Sequence, residues 1–165
     1  MKKILTLVLA LALSITALSG CGSKPAADKT PEELAELYSS AIMENGGEMA
    51  EYNPAFTQAK EDDGSAMVLE NMGLNTEDMA AFGISASLMN IKAFMPAEGK
   101  EAAVMEALQG YIDRTKSSFE MYLADQYEVA ENARLETLED GTILLVMCQD
   151  QDTVFDAIAD ATQVN

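Results

Sequence analysis

The sequence predicts an α+β fold: one domain in which an antiparallel sheet of about four strands packs with a long helix and with N- and C-terminal helices. Three observations carry this. Apolar residues recur three and four apart near residues 34–42, 104–123 and 154–161, the spacing of amphipathic helices. Two apolar runs near the C-terminus flank Glu139-Asp140-Gly141, a strong hairpin signal. The elements follow the order helix, short helix, strand, strand, long helix, strand, strand, helix, so the strands come in adjacent pairs as an antiparallel sheet requires.

Each element has a local cause. Thr30-Pro31-Glu32-Glu33 opens the first helix: Thr30 can cap, Pro31 suits the first helical position and Glu33 completes a capping box. Leu34, Leu37, Tyr38, Ala41 and Ile42 form its apolar stripe, and Asn45-Gly46-Gly47 ends it. Asn53-Pro54 and Glu61-Asp62-Asp63-Gly64 mark turns. Ala66–Met72 reads as a short helix closed by Gly73, with a further turn at Asn75-Thr76-Glu77-Asp78. Strands are expected over 80–87 and 90–96, the second ended by Pro96 or lying at an edge.

The longest helix is expected over 99–124, with Val104, Leu108, Ile112, Thr115, Phe119 and Leu123 inward and Met105, Tyr111 and Tyr122 widening the stripe. Phe119, Tyr122 and Leu123 are expected to pack on the sheet. Gly110 should cost this helix about 1 kcal/mol relative to Ala, either because a close helix–sheet contact needs it or for no structural reason. Two strands follow, over 132–138 and 142–149. Ile143 to Cys148 is apolar at every position, so that strand should be central and covered on both faces. Asp150 or Asp152 can cap a last helix that turns Val154, Phe155, Ile158 and Ala161 inward.

The N-terminus carries a different message. Lys2 and Lys3 precede an apolar run from Ile4 to Leu18, which fits an export signal and is short for a membrane span of about 20 residues. The run closes on Leu18-Ser19-Gly20-Cys21, which resembles the bacterial lipobox. That resemblance implies cleavage between Gly20 and Cys21 and a diacylglyceryl group on the Cys21 thiol, and two acyl chains suffice for stable anchoring. Gly22 to Lys29 is small, polar and Pro-containing, the composition of a flexible tether. The organisation expected is therefore a signal peptide at 1–20, a lipidated Cys and tether at 21–30, and a single domain at 31–165, placed on the outer face of the cell membrane.

Composition excludes several function classes. The 165-residue chain has 28 acidic and 10 basic residues, a net charge of −18, and losing Lys2 and Lys3 with the leader makes it more negative still. Such a surface does not suit nucleic acid, whose binding depends on Lys and Arg neutralising phosphates, or adhesion to anionic lipid through protein charge. There is no His, which removes Ser-His-Asp and Cys-His catalysis and His-based zinc sites. Of the two Cys, Cys21 is the anchor, so Cys148 has no intrachain partner and reads as a buried, inert thiol.

The remaining candidates have plain structural readings. Asp150, Asp152 and Asp156 lack the glycine and ligand spacing of a calcium loop and suit helix capping. Glu61-Asp62-Asp63 suits a solvated loop. The 11 Met are scattered and suit core filling. Tyr127 packs at a helix end or lines a recognition surface, and Arg114 is expected to form an ordering ion pair. No catalytic residue, metal site or cofactor is indicated. The reading is a non-catalytic binding or interaction module whose partner is an envelope protein or a small ligand. The alternatives are a calcium-type cation binder and a carboxylate-based cell-wall hydrolase.

Several stretches carry a family resemblance: Leu88-Met89-Asn90-Ile91 through Gly99-Lys100-Glu101, Ser118-Phe119-Glu120-Met121-Tyr122-Leu123, Gln126-Tyr127-Glu128 and Ile143-Leu144-Leu145-Val146-Met147. They resemble a family of Gram-positive, clostridial-type lipoproteins with an uncharacterised domain, DUF4358, over roughly residues 31–160. The resemblance implies location and single-domain architecture, and brings no activity with it. Members often show an acidic residue within the second strand, where this chain has Lys92-Ala93-Phe94-Met95.

Overall fold

The computed structural model describes residues 29–46, 55–57, 65–84 and 90–163. The export segment, Cys21, the polar stretch up to Asp28 and the turns at Asn53-Pro54 and Glu61 to Gly64 lie outside the described residues. Helix α1 (Pro31–Asn45) starts at the expected capping box. Thr30 N donates to Glu33 Oε2 at 2.7 Å, and Thr30 Oγ1 accepts from Glu33 N at 3.3 Å. Strand β1 (Ala55–Thr57) is followed by helix α2 (Ser65–Asn71), a 3-10 turn at Thr76–Asp78, and strands β2 (Met79–Ile84) and β3 (Asn90–Pro96). Then come helices α3 (Glu101–Phe119) and α4 (Ala124–Glu131), strands β4 (Arg134–Thr137) and β5 (Ile143–Met147), and helix α5 (Gln151–Gln163).

The strands form one antiparallel sheet in the order β1-β2-β3-β5-β4. This is the α+β fold the sequence predicts, with the short β1 added at one edge. Because side chains alternate along a strand, β3 and β5 divide their residues between two cores. Ile91, Ala93 and Met95 of β3 and Leu144 and Val146 of β5 meet Tyr38, Ile42, Phe155 and Ile158 of α1 and α5. On the opposite face, Phe94 and Ile143 meet Leu69, Val104 and Leu108, while Leu145 and Met147 meet Ile112, Val129 and Ala130. Helices therefore cover both faces, and the unbroken apolar run of β5 follows: all five of its residues are buried. Among the described residues no helix is long and apolar enough to cross a membrane.

The chain departs from expectation between residues 120 and 131. The stripe through Leu123 does not continue as one helix. Helix α3 ends at Phe119, and a turn at Glu120–Leu123, in which Leu123 N donates to Phe119 O at 3.0 Å, leads into α4. Phe119 packs against the core beneath α4. Tyr122 and Leu123 point outward instead, 83% and 49% exposed, together with Met121 at 76%. The turn takes them off the buried face of α3, and Val129 and Ala130 of α4 join Ile112 in the core there.

Gly110 also has a different neighbour from the one expected. A Cβ there would stand 3.3 Å from Nη1 of Arg114, and a Cβ on Gly73 would stand 3.5 Å from Nη2 of the same guanidinium. Arg114 thus lies between α3 and the turn after α2, so the close contact at Gly110 is to a side chain of its own helix.

Candidate functional site

Polar groups gather at the end of the sheet where α1 begins and α5 ends. The β4–β5 turn is built by Asp140 and Gly141. Gly141 has φ +85, a conformation that glycine adopts without strain, and Thr142 N donates to Asp140 Oδ1 at 2.8 Å. The other carboxylate oxygen, Oδ2, accepts from the Tyr38 hydroxyl at 2.9 Å. Tyr38 is fully buried, so this bond joins α1 to a turn 102 residues away. Burial and the negative charge of Asp140 hold the phenol above the usual tyrosine range, against the opposing pull of the Thr162 and Thr142 hydroxyls. It remains a protonated donor.

Thr142 is 1% exposed, and its hydroxyl lies close enough to that of Tyr38 to act on it, though without the geometry of a full hydrogen bond. Thr162, 7% exposed, has its hydroxyl 2.9 Å from Ala159 O and 3.1 Å from Ile158 O. Two cavities open here. One, about 230 Å³, is lined by Leu34, Leu37, Tyr38, Leu138, Asp140 and Thr162 among others. The second, about 170 Å³, is lined by Pro31, Ala80, Met95, Pro96, Glu101 and Thr142 among others, and the two share Lys29, Leu34 and Asp140. Each is smaller than a typical small-molecule site, and their walls mix apolar side chains with polar and charged ones.

The residues singled out from sequence lie elsewhere. Cys148 is buried, and its thiol is pushed up to about 11 by burial and by the charge of Asp150, the opposite of what a reactive thiol needs. Asp152 and Asp156 face Arg134 Nη1 at 3.7 and 2.7 Å, while Glu136 takes Nε at 2.6 Å. That guanidinium also lies over the Phe155 ring, 3.9 Å from its centre. Among the described residues, Arg134 is the cation that orders three neighbouring carboxylates. Asp150 takes a φ of +57, and its carbonyl accepts from Val154 N at 3.1 Å as α5 begins. Tyr127 lies under Lys116 Nζ at 5.5 Å, and its hydroxyl is 3.4 Å from Glu131 Oε1. Among the described residues no group of three or more acidic, Cys or His side chains is placed to hold a metal ion. Of the Met, Met72, Met79, Met95 and Met147 fill the cores, whereas Met43, Met67 and Met121 are exposed.

The Tyr38, Asp140, Thr142 and Thr162 cluster was not visible in the sequence as a site. Asp140-Gly141 signals a turn, and Tyr38 reads as one more member of an apolar stripe. Only the packing of α1 and α5 against the hairpin joins them. Comparison with family models matches residues 54–148, more than half of the chain, to the domain of unknown function DUF4358. Comparison with curated proteins and with solved structures gives no match.

Proposed function

We propose, from the premise that the chain belongs to the DUF4358 family, that it is an extracytoplasmic lipoprotein of the clostridial type: a non-catalytic binding module held to the outer face of the cell membrane through Cys21. The observation that carries this reading is the order of its N-terminal signals. A basic start and an apolar run close on Leu18-Ser19-Gly20-Cys21, a short polar stretch follows, and a capped helix then opens at Pro31. An export signal, an anchoring Cys, a spacer and a domain are the order this reading gives them. The binding half of the reading is supported by the Tyr38–Asp140 corner, whose cavities begin at Lys29, where the spacer ends.

The test is fractionation of the full chain expressed in a Gram-positive host. The parent should sediment with membranes, be released by detergent and carry label from a radioactive fatty acid. Cys21→Ala should take up no label and leave the detergent-released fraction. Retention of the unlabelled variant in that fraction would overturn the anchor.

A further inference from the structure

We propose that the turn between α3 and α4, with the acidic groove beside it, is a docking surface for a protein partner whose contacting face is basic around an apolar hollow. This rests on the reading of the domain as an interaction module and names the chemistry of what it meets. The first argument is apolar exposure. Met121, Tyr122 and Leu123 follow one another and are all exposed. A surface turn is ordinarily built from Gly, Pro, Asn, Asp or Ser, and contiguous apolar exposure marks an interaction site where scattered residues do not. The turn is also held in shape. Tyr122 N and Leu123 N both donate to Phe119 O, at 3.2 and 3.0 Å, and Leu123 O accepts from Tyr127 N at 2.8 Å. Phe119 itself is packed against the core. A partner therefore meets a preformed knob led by a tyrosine, a residue type that carries binding energy at interfaces.

Charge decides the partner. A groove of about 350 Å³ opens beside the turn; among the described residues its lining includes Asp125, Glu128 and Asp150 and no Lys or Arg. The nearest base in sequence, Lys116, is already engaged by Glu131 at 3.5 Å and by the Tyr127 ring. Lys and Arg of a partner complement this rim, where charge sets encounter rate and register. A second copy of the chain fits poorly, because a two-fold contact sets one patch against itself and would face carboxylates with carboxylates. The bilayer fits poorly for a geometric reason. Lys29, Pro31 and Glu101 line one cavity, so the chain enters the domain where α3 begins. The 19 residues of α3 then lead about 28 Å away, at about 1.5 Å per residue. With Tyr122 at the lipid surface, the segment from Cys21 to Thr30 would have to be drawn out close to its limit of roughly 33–36 Å. The net charge of −18 also opposes anionic lipid.

The experiment replaces Tyr122 with the photo-crosslinking residue p-benzoylphenylalanine in the full chain, expressed in the cells that naturally make it. Intact cells are illuminated, and the adducts are sequenced by mass spectrometry. The expected result is a discrete protein adduct whose crosslinked segment carries more Lys and Arg than Asp and Glu, beside apolar residues. Met121→Ser with Leu123→Ser should cut its yield about fivefold or more. Asp125→Asn with Glu128→Gln should cut it about threefold or more. All four of these side chains are exposed, so both paired variants should fold and accumulate as the parent does. The same crosslinker at Met67, exposed on α2, should not give that adduct. An adduct to phospholipid, to a second copy of the chain, or to a segment without a basic surplus would each overturn the proposal. So would a yield unchanged in either paired variant, an equal yield from position 67, or no adduct at all. None of these results touches the anchoring of the chain, which the Cys21→Ala fractionation decides separately.

Discussion

A lysine ammonium removed from water without a hydrogen-bond partner is among the costlier groups a core can hold. Lys92 is in this position. It lies in β3, opposite Leu145 of β5, on the face covered by α3, and is 3% exposed. Its Nζ has no hydrogen-bond partner and stands 5.2 Å from the centre of the Tyr111 ring. Burial lowers its pKa from the ordinary 10.5 to about 7. The unfolded chain keeps this proton up to about 10.5 and the folded chain releases it near 7. Between those values the unfolded state binds more protons, so stability rises with pH, by at most about 1.4 kcal/mol per pH unit. Below pH 7 both states are charged, and the cost of burial is incurred in full. Cys148 acts with the opposite sign, but only above the ordinary thiol value of 9, and Tyr38 only above 10. The window from 7 to 9 therefore belongs to Lys92. Urea unfolding at pH 7 and pH 9 should show the parent gaining roughly 2 kcal/mol at the higher pH. Lys92→Met should be more stable than the parent at pH 7 and flat across the window. Equal slopes for parent and variant would mean that the ammonium reaches water.

At the scale of the element, two glycines beside one guanidinium separate backbone effects from packing effects. Gly110 lies inside α3, where alanine is favoured over glycine by about 1 kcal/mol. Its crowding neighbour at 3.3 Å is the far end of the flexible Arg114 side chain, which can move. Gly73 ends α2 at φ +82, where a side chain is strained by roughly 1 kcal/mol or more whatever the space around it. Gly110→Ala should therefore raise the urea midpoint and Gly73→Ala should lower it, with the slopes unchanged. A loss of stability in Gly110→Ala would show Arg114 to be held rigidly against α3. The same contrast explains which elements the sequence announces. The Thr30 capping box, the Asp140-Gly141 turn, the Gly73 stop and the doubly covered β5 are all specified by residues at the element itself. The break after Phe119 is not, because Glu120 to Leu123 contain neither glycine nor proline and continue the apolar spacing of α3. Val129 and Ala130 are buried in the core while Tyr122 faces outward, an outcome that local spacing does not report. The Tyr38 site was hidden for a related reason: its two bonded side chains are 102 residues apart, and local pattern reports nothing at that range.

For the whole molecule, the dominant long-range term is its own charge. With 28 acidic residues against 10 basic ones, carboxylates outnumber cations nearly three to one. The described ion pairs concentrate on Lys100 with Asp78, Lys116 with Glu131, and Arg134 with Glu136, Asp152 and Asp156. Salt acts on both sets. It weakens these pairs, but most of them are at least partly exposed, and such pairs contribute about 0–1 kcal/mol each. It also screens repulsion among the remaining carboxylates, which is summed over many pairs and opposes the compact state. The screening length falls from about 30 Å at 0.01 M to about 8 Å at 0.15 M, so the many distant repulsions fade before the few short attractions do. Repulsion therefore wins the comparison. The urea midpoint should rise when sodium chloride is increased from roughly 0.01 to roughly 0.15 M, with the slope unchanged. Arg134→Gln should keep that rise while lowering the midpoint throughout, since it removes the hub of the pairs and leaves the repulsion in place. A midpoint that fell with salt in the parent and not in Arg134→Gln would reverse the ranking: the Arg134 cluster, and not the surplus of carboxylates, would then set the electrostatic stability of the domain.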